Sequence, residues 1–261
     1  MLAKDVNMPK SDWSAGYTTE INYTYGYYPE FNIQRMRFSL INAGIVPPEI
    51  HTACELGFGQ GVSINIHAAA SPVEWYGTDF NPSQASFAQS LGAQSGAKIH
   101  LSDDSFLRFV ERDDLPIFDF IGLHGIWSWI SAENQDAIVR FLDKKLKAGG
   151  VCYISYNTLP GWASFSPVRQ LLSQHADMLS SDGQNPTKKM DEALAFVDQL
   201  FTLKAQFLGS NPLVKEKFDR LKTQNRQYLV HEYLNRDWRP IYFSEMVSAL
   251  APAKMQYATS A

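Results

Sequence analysis

The stretch Glu55-Leu56-Gly57-Phe58-Gly59-Gln60-Gly61 constrains the fold more than any other part of the chain. Three glycines at alternate positions follow an apolar run (50–56) and precede a helix-like one (62–70). The pattern predicts a strand, a turn whose backbone something must approach closely, and a helix whose N-terminal amides face the same space. Asp79 then ends the next apolar run, 18 residues beyond Gly61. Parallel α/β folds place a carboxylate for ribose hydroxyls at roughly 20 residues from such a turn.

The rest of the chain carries the same rhythm. Strand-like runs fall at 51–56, 74–78, 98–101, 118–123 and 151–156, and helical patterns at 33–43, 62–70, 83–93, 105–111 and 133–147. Strands alternating with helices predict an α/β fold with a Rossmann-like, doubly wound, mostly parallel sheet. Lys147-Ala-Gly-Gly150 reads as a helix stop and a tight turn into the fifth strand. From 164 to 222 only helical patterns occur; strand-like runs at 227–234 and 255–259, around a helix at 243–251, then bring the sheet to about seven strands. The expected organisation is an aromatic leader and helix over the pocket (1–45), a nucleoside-binding core (46–163), a helical insertion or lid (164–224), and a closing segment that completes the core (225–261). The leader carries Tyr17, Tyr23, Tyr25, Tyr27 and Tyr28, too apolar a set for a free tail.

Composition narrows the partners. A net charge of −4 with no lysine/arginine stripe argues against binding a nucleic-acid backbone. The two cysteines, Cys54 and Cys152, sit inside strand patterns and read as buried, reduced thiols. No apolar run reaches the roughly 18 residues of a membrane span, the N-terminus lacks the apolar core of a signal peptide, and no residue is assigned to a metal. A cytoplasmic protein is expected.

In an open parallel sheet, ligands sit outside the carboxyl ends of the strands. This chain places Gly57, Gly59 and Gly61 after the first, Asp79 and Phe80 after the second, and Asp103, Asp104 and Ser105 after the third. His124 and Trp127 follow the fourth strand, and Tyr156 and Asn157 the fifth. Asp79 would take the ribose, Phe80 the base, and Asp103 or Asp104 an adenine amino group, the other capping the helix at Ser105. No lysine follows the glycines, which excludes a phosphate-cradling loop. The third glycine comes one residue too early for a dinucleotide turn, and Glu55 at the entrance would repel phosphates. S-adenosylmethionine, a nucleoside with an amino-acid tail, suits these residues.

Glu55 to Gly61, Asp79, the Asp103-Asp104 pair and Leu146-Lys-Ala-Gly-Gly-Val151 resemble the successive motifs of class I S-adenosylmethionine-dependent methyltransferases. Phe118 to Trp129, Ser155 to Trp162, His231-Glu-Tyr-Leu234 and Pro240 to Ser244 are similar to a narrower group, bacterial methyltransferases with a methyltransferase regulatory domain. That group includes the rickettsial protein-lysine methyltransferases of outer-membrane proteins. Phe58 stands where the family usually has cysteine. Members are longer, so the resemblance implies a substrate-recognising module beyond residue 261.

The implied activity is methyl transfer to a nucleophilic nitrogen or oxygen of a protein, glycan or small molecule. Glu55, Gly57, Phe58, Gly59, Gly61, Asp79, Phe80, Asp103, Asp104, Ser105, His124 and Tyr28 would hold the cofactor. His124, Trp127 and Tyr156 would face the acceptor, with His124 as the base where one is needed. Two other readings fit the same residues: a nicotinamide-dependent oxidoreductase, and a non-catalytic cofactor-binding regulator.

Overall fold

The computed structural model describes residues 21, 23–179 and 183–260. In chain order the elements are α1 (Ile33–Asn42), β1 (Thr52–Leu56), α2 (Val62–Ala69), β2 (Glu74–Thr78), α3 (Pro82–Ser95), β3 (Ile99–Ser102), α4 (Phe106–Phe109) and β4 (Phe118–Leu123). Then follow α5 (Ala132–Lys145), β5 (Leu146–Ile154), α6 (Ser166–Leu179), α7 (Pro186–Thr202), α8 (Gln206–Gly209), α9 (Pro212–Lys222), α10 (Arg226–Tyr233) and α11 (Phe243–Leu250). Short polar side chains start most helices: Asn32, Asn81, Ser105, Ser131, Asn185 and Asn225 each accept a first-turn amide.

The five strands form one parallel sheet in the order β3-β2-β1-β4-β5. Its direction of winding reverses at β1, so the switch point lies between β1 and β4. Both faces are covered, which is why every residue of β4 is buried. One face packs Phe109, Phe141, Trp127 and Met246 against β1 and β4. The other packs Met36, Leu40, Ile64, Ala88 and Trp75, together with Phe31 from just before α1. Phe31 is fully buried because β4 carries Gly122 beneath it; a Cβ there would lie 2.4 Å from the Phe31 ring.

Residues beyond β5 build a third core of their own. Phe165, Leu172, Leu194, Val197, Phe218, Leu229 and Tyr233 interlock α6, α7, α9 and α10. The chain then returns to the sheet, where Ile241 pairs with Thr158 in a parallel bridge and joins the β4 core.

The sheet has five strands among the described residues, not about seven. Residues 227–234 lie almost wholly in α10, and 255–259 form no strand. The run Gln227-Tyr-Leu-Val-His-Glu-Tyr-Leu234 is rich in strand formers, but Asn225 caps it and Leu229, Val230 and Tyr233 fall on one helical face against the third core. Lys147 to Gly150 is also not a turn: β5 already begins at Leu146, and the glycines form an irregularity opposite Phe118–Phe120, with Gly149 at a φ of 79°. Cys54 is buried and Cys152 half-buried, both as free thiols. Tyr17 of the leader lies outside the described residues. No described helix is long and apolar enough to cross a membrane.

Asp119 anchors the start of the sheet. Its Oδ2 accepts from the amides of His51 (2.9 Å) and Thr52 (3.2 Å), and its Oδ1 from Lys147 Nζ (3.0 Å). Burial pushes the carboxyl up, but these donors outweigh it and hold it below its ordinary value. Asp119→Ala should therefore cost about 2–3 kcal/mol at neutral pH by stranding two backbone amides. A depressed carboxyl stabilises above its unfolded pKa, so the gap between variant and parent should shrink as pH falls through the acid range. Urea unfolding at pH 7 and pH 4 checks both parts.

Candidate active site

β1 delivers its last residues to the switch point, where the chain turns at Gly57, Gly59 and Gly61. Their φ values are 75°, 57° and 68°, a region that excludes most side chains. Each glycine also has a neighbour. A Cβ on Gly57 would meet Ile126 Cδ1 at 2.4 Å, one on Gly59 the Tyr23 ring at 3.1 Å, and one on Gly61 Ala88 Cβ at 2.3 Å. The first two glycines are thus covered by side chains from other parts of the chain, Ile126 after β4 and Tyr23 before α1. The third lets α2 and α3 approach each other closely.

Asp79, at the end of β2, faces this turn. Its Oδ2 accepts from the Gly59 amide at 2.8 Å and its Oδ1 from the Asn81 amide at 3.0 Å. Burial raises its carboxyl to about 7, against the pull of those two amides. Glu55, the penultimate residue of β1, is also buried, and its Oε2 has no hydrogen-bond partner. Burial, and then the Asp79 carboxylate nearby, push Glu55 well above the ordinary range. Two carboxyls that cannot both ionise without help therefore sit at a glycine cradle. A ligand offering hydroxyls to one and a cationic amine to the other would satisfy both.

The other expected residues divide. Phe80 is half-buried beside Asp79. Ser105 itself caps α4 through its Oγ, so neither neighbouring aspartate does. Asp104 is held by Arg112 at 3.2 Å and Arg108 at 3.6 Å, while Asp103 is exposed. Phe58 is buried among apolar side chains. Trp127 requires a correction: it is 2 % exposed inside the β4 core and cannot face an acceptor. Its neighbour Trp129 instead lines a cavity.

A cavity of about 460 Å³ lies off the carboxyl ends of β4 and β5, with Trp129 in its wall. His124, Tyr156 and Asn157 line it, and Tyr28 from the leader closes it. The Tyr28 ring stacks on His124 at 4.1 Å between centroids, and Tyr28 N donates to Ser63 Oγ at 3.0 Å. Burial lowers the His124 pKa, so the ring is neutral, with Nδ1 3.2 Å from the Tyr153 hydroxyl.

The remaining wall comes from α10: Tyr228, His231 and Glu232. Sequence reasoning missed these three as site residues because a strand would have pointed 231 and 232 to opposite faces. On a helix, positions 228, 231 and 232 share one face. The signal was the Asn225 cap, which marks a helix start. Glu232 is raised to about 7, mainly by burial, opposed by the Asn157 side chain, Lys217 and Arg169. Among the described residues, no cluster of three or more His, Cys, Asp or Glu could hold a metal.

Comparison with known proteins adds to this geometry. Residues 225–261 match the model of the predicted methyltransferase regulatory domain. The chain is 40% identical over 254 residues to uncharacterized protein sll1526 of Synechocystis sp., covering 95% of this chain and 49% of that protein. It is 27% identical to uncharacterized protein RP028 of Rickettsia prowazekii, covering 88% and 94%. The structure of PKMT2 from Rickettsia typhi in complex with AdoHcy superposes with a TM-score of 0.73 at 22% identity, over 90% of this chain and 45% of that one. The chain thus spans about half the length of sll1526 and of PKMT2. It shares the fold of the Rickettsia typhi protein, and its residues 225–261 are similar to the methyltransferase regulatory domain model.

Proposed function

We propose that this chain is a class I S-adenosylmethionine-dependent methyltransferase acting on a nucleophilic nitrogen, with a protein lysine amine as the leading acceptor. The observation that carries the reading is the pairing of Asp79 with the Gly59 amide, near the buried Glu55 Oε2 that has no hydrogen-bond partner among the described residues, at the switch point of a parallel sheet. Asp79 keeps a lone pair on each oxygen for ribose hydroxyls. Glu55 would receive the α-ammonium of the amino-acid tail, and the open amides of the glycine turn its carboxylate. The PKMT2 structure was solved with AdoHcy, which is what S-adenosylmethionine becomes on losing its methyl group. A nicotinamide dinucleotide fits less well, because Val62 stands where its turn has the last glycine and Glu55 would oppose a pyrophosphate.

When bound, the cofactor supplies a methyl group activated by a positive sulfonium. The protein's part is positioning and exclusion of water. Tyr28 and His124 form a flat wall, and a neutral His124 does not repel a cationic donor. Trp129, Tyr156 and Tyr228 surround the acceptor side, leaving room for an alkyl chain.

Calorimetric titration with S-adenosylmethionine tests the reading. Near pH 6.5 binding should release protons, because a cationic ligand lowers both raised carboxyls, so the apparent enthalpy should change with the buffer's ionisation enthalpy. No binding heat in either of two buffers, or tight binding of NADH instead, would defeat it.

A further inference from the structure

We propose that Glu232 of α10 is the proton acceptor of the methyl-transfer site, so that the segment matching the regulatory domain supplies a catalytic side chain. The inference rests on the reading of the chain as an amine methyltransferase and adds a residue to it. Three observations carry it.

Among the described residues lining the 460 Å³ cavity, Glu232 supplies the one carboxyl group, and the others are aromatic, histidine, glycine or neutral polar residues. Asn157, a wall residue from the end of β5, keeps a buried side-chain Nδ2 without a hydrogen-bond partner among the described residues and favours the ionised Glu232 carboxylate. Its backbone carbonyl accepts from Trp129 Nε1 at 3.3 Å, which pins this turn of α10 to the segment after β4. An aromatic enclosure with one carboxylate suits an alkylammonium: the rings take the chain and the positive charge, and the acid takes a proton.

The charges around Glu232 allow this. Behind it, Lys217 of α9 lies over the Trp162 ring at 3.8 Å and Arg169 of α6 over the Trp238 ring at 4.9 Å. Both favour the ionised carboxylate, while burial opposes it. Across the cavity stand Tyr28 and His124, and beside it Tyr228, whose hydroxyl is pushed up to about 12. None of Tyr28, His124 and Tyr228 is poised to deprotonate an ammonium near neutrality: the tyrosines, Tyr156 included, hold their protons, and His124 is too weak a base, while His231, the other titratable neighbour, commits its Nε2 to the Ile21 carbonyl at 3.1 Å. Glu232, ionising near 7, is closer to the task than an ordinary glutamate.

The step balances simply. Glu232 takes one proton from R–NH3⁺ and leaves R–NH2 with a free electron pair. That pair bonds to the methyl carbon as the carbon–sulfur bond breaks and its electrons stay on sulfur. The product is R–NH2⁺–CH3, and Glu232 returns its proton to water.

The test compares the parent with Glu232→Gln and Glu232→Asp. First, n-butylammonium and n-butanol are titrated by intrinsic fluorescence, with and without S-adenosylhomocysteine. The parent should prefer the ammonium, and the Gln variant should lose that preference by about tenfold or more. Second, labelled methyl transfer to poly-L-lysine is followed from pH 6 to 9. The parent's kcat should rise through about pH 7. The Gln variant should fall by about 100-fold and lose that limb, and the Asp variant should recover part of it.

S-adenosylmethionine affinity should be unchanged in both variants, which separates this proposal from the assignment of the cofactor. Equal butylammonium binding by parent and Gln variant, an unchanged pH limb, or no ammonium preference in the parent overturns the role of Glu232. So does a parent that binds the methyl donor but labels no poly-L-lysine. Failure of the donor to bind counts against the methyltransferase reading instead.

Discussion

Asp79→Ala should abolish S-adenosylmethionine binding, with affinity lower by about 100-fold or more, and leave the fold intact. The loss follows from removing charge-assisted hydrogen bonds to the ribose, each worth about 1.5–3 kcal/mol. Stability should suffer much less, and the sign can be worked out. The Asp79 carboxyl is raised to about 7 in the folded chain, against an ordinary value near 3.8. A raised acid binds its proton more tightly when folded, so its contribution to stability is present at low pH and fades as pH rises towards 7. Above that, the parent carries a buried, poorly solvated charge, and the alanine variant does not. Against this gain stand the lost bonds to the Gly59 and Asn81 amides. The two terms oppose each other, so at pH 8 the denaturation midpoint should move little while the binding isotherm disappears. Calorimetry and thermal unfolding on one preparation check both halves. Retained binding would show that the carboxylate serves only to shape the turn.

Gly61→Ala should do the reverse, weakening the fold itself rather than only the binding. Two costs add at this position. The φ of 68° puts any Cβ close to the following carbonyl, costing about 1–2 kcal/mol. The new methyl would also lie 2.3 Å from Ala88 Cβ and 3.3 Å from its Cα, so α3 must move as a body. Overpacking of that kind costs about 1–3 kcal/mol. The shift would also disturb Asn65, whose side-chain amide bonds the carbonyls of Gly61 and Ala88 at 2.8 and 3.0 Å and so ties the two helices together. A loss of about 2–5 kcal/mol is expected in urea unfolding, with Gly44→Ala as the control. Gly44 also has positive φ, but nothing stands within 4 Å of its would-be Cβ, so only the conformational cost should appear there.

The two glycine-turn residues show how differently information is stored in one motif. That Gly61 must be glycine is visible in the sequence, but the reason is not. An alternate-glycine turn suggests a ligand, and at Gly57 and Gly59 the neighbours that require glycine are the side chains of Ile126 and Tyr23. At Gly61 the close neighbour is another helix, 27 positions further along the chain. Long-range approaches of this kind leave no periodic trace. The same holds for the two tryptophans after β4. Trp127 and Trp129 are spaced like neighbours on one strand face, yet a short 3₁₀ turn over Trp127–Trp129 buries the first in the sheet core and turns the second towards the cavity. Likewise Ser105, not an aspartate, caps α4, leaving Asp104 to its two arginines.

What the amino-acid order determined by itself was the local grammar of the core: the alternation of strands and helices from 51 to 154, the glycine turn after β1, and the acid after β2. These depend on apolar periodicity, helix caps and backbone freedom over a few residues, all of which are written in adjacent positions. Only the tertiary structure decided whether 227–234 would pair with the sheet or coil against α6, α7 and α9. The apolar residues of that run fit either state, and the decision lies in a core assembled from residues as far back as Phe165. By coiling there, α10 brings Tyr228, His231 and Glu232 to the open end of β4 and β5. A glycine turn legible in the sequence thus gains a facing cavity wall that is not.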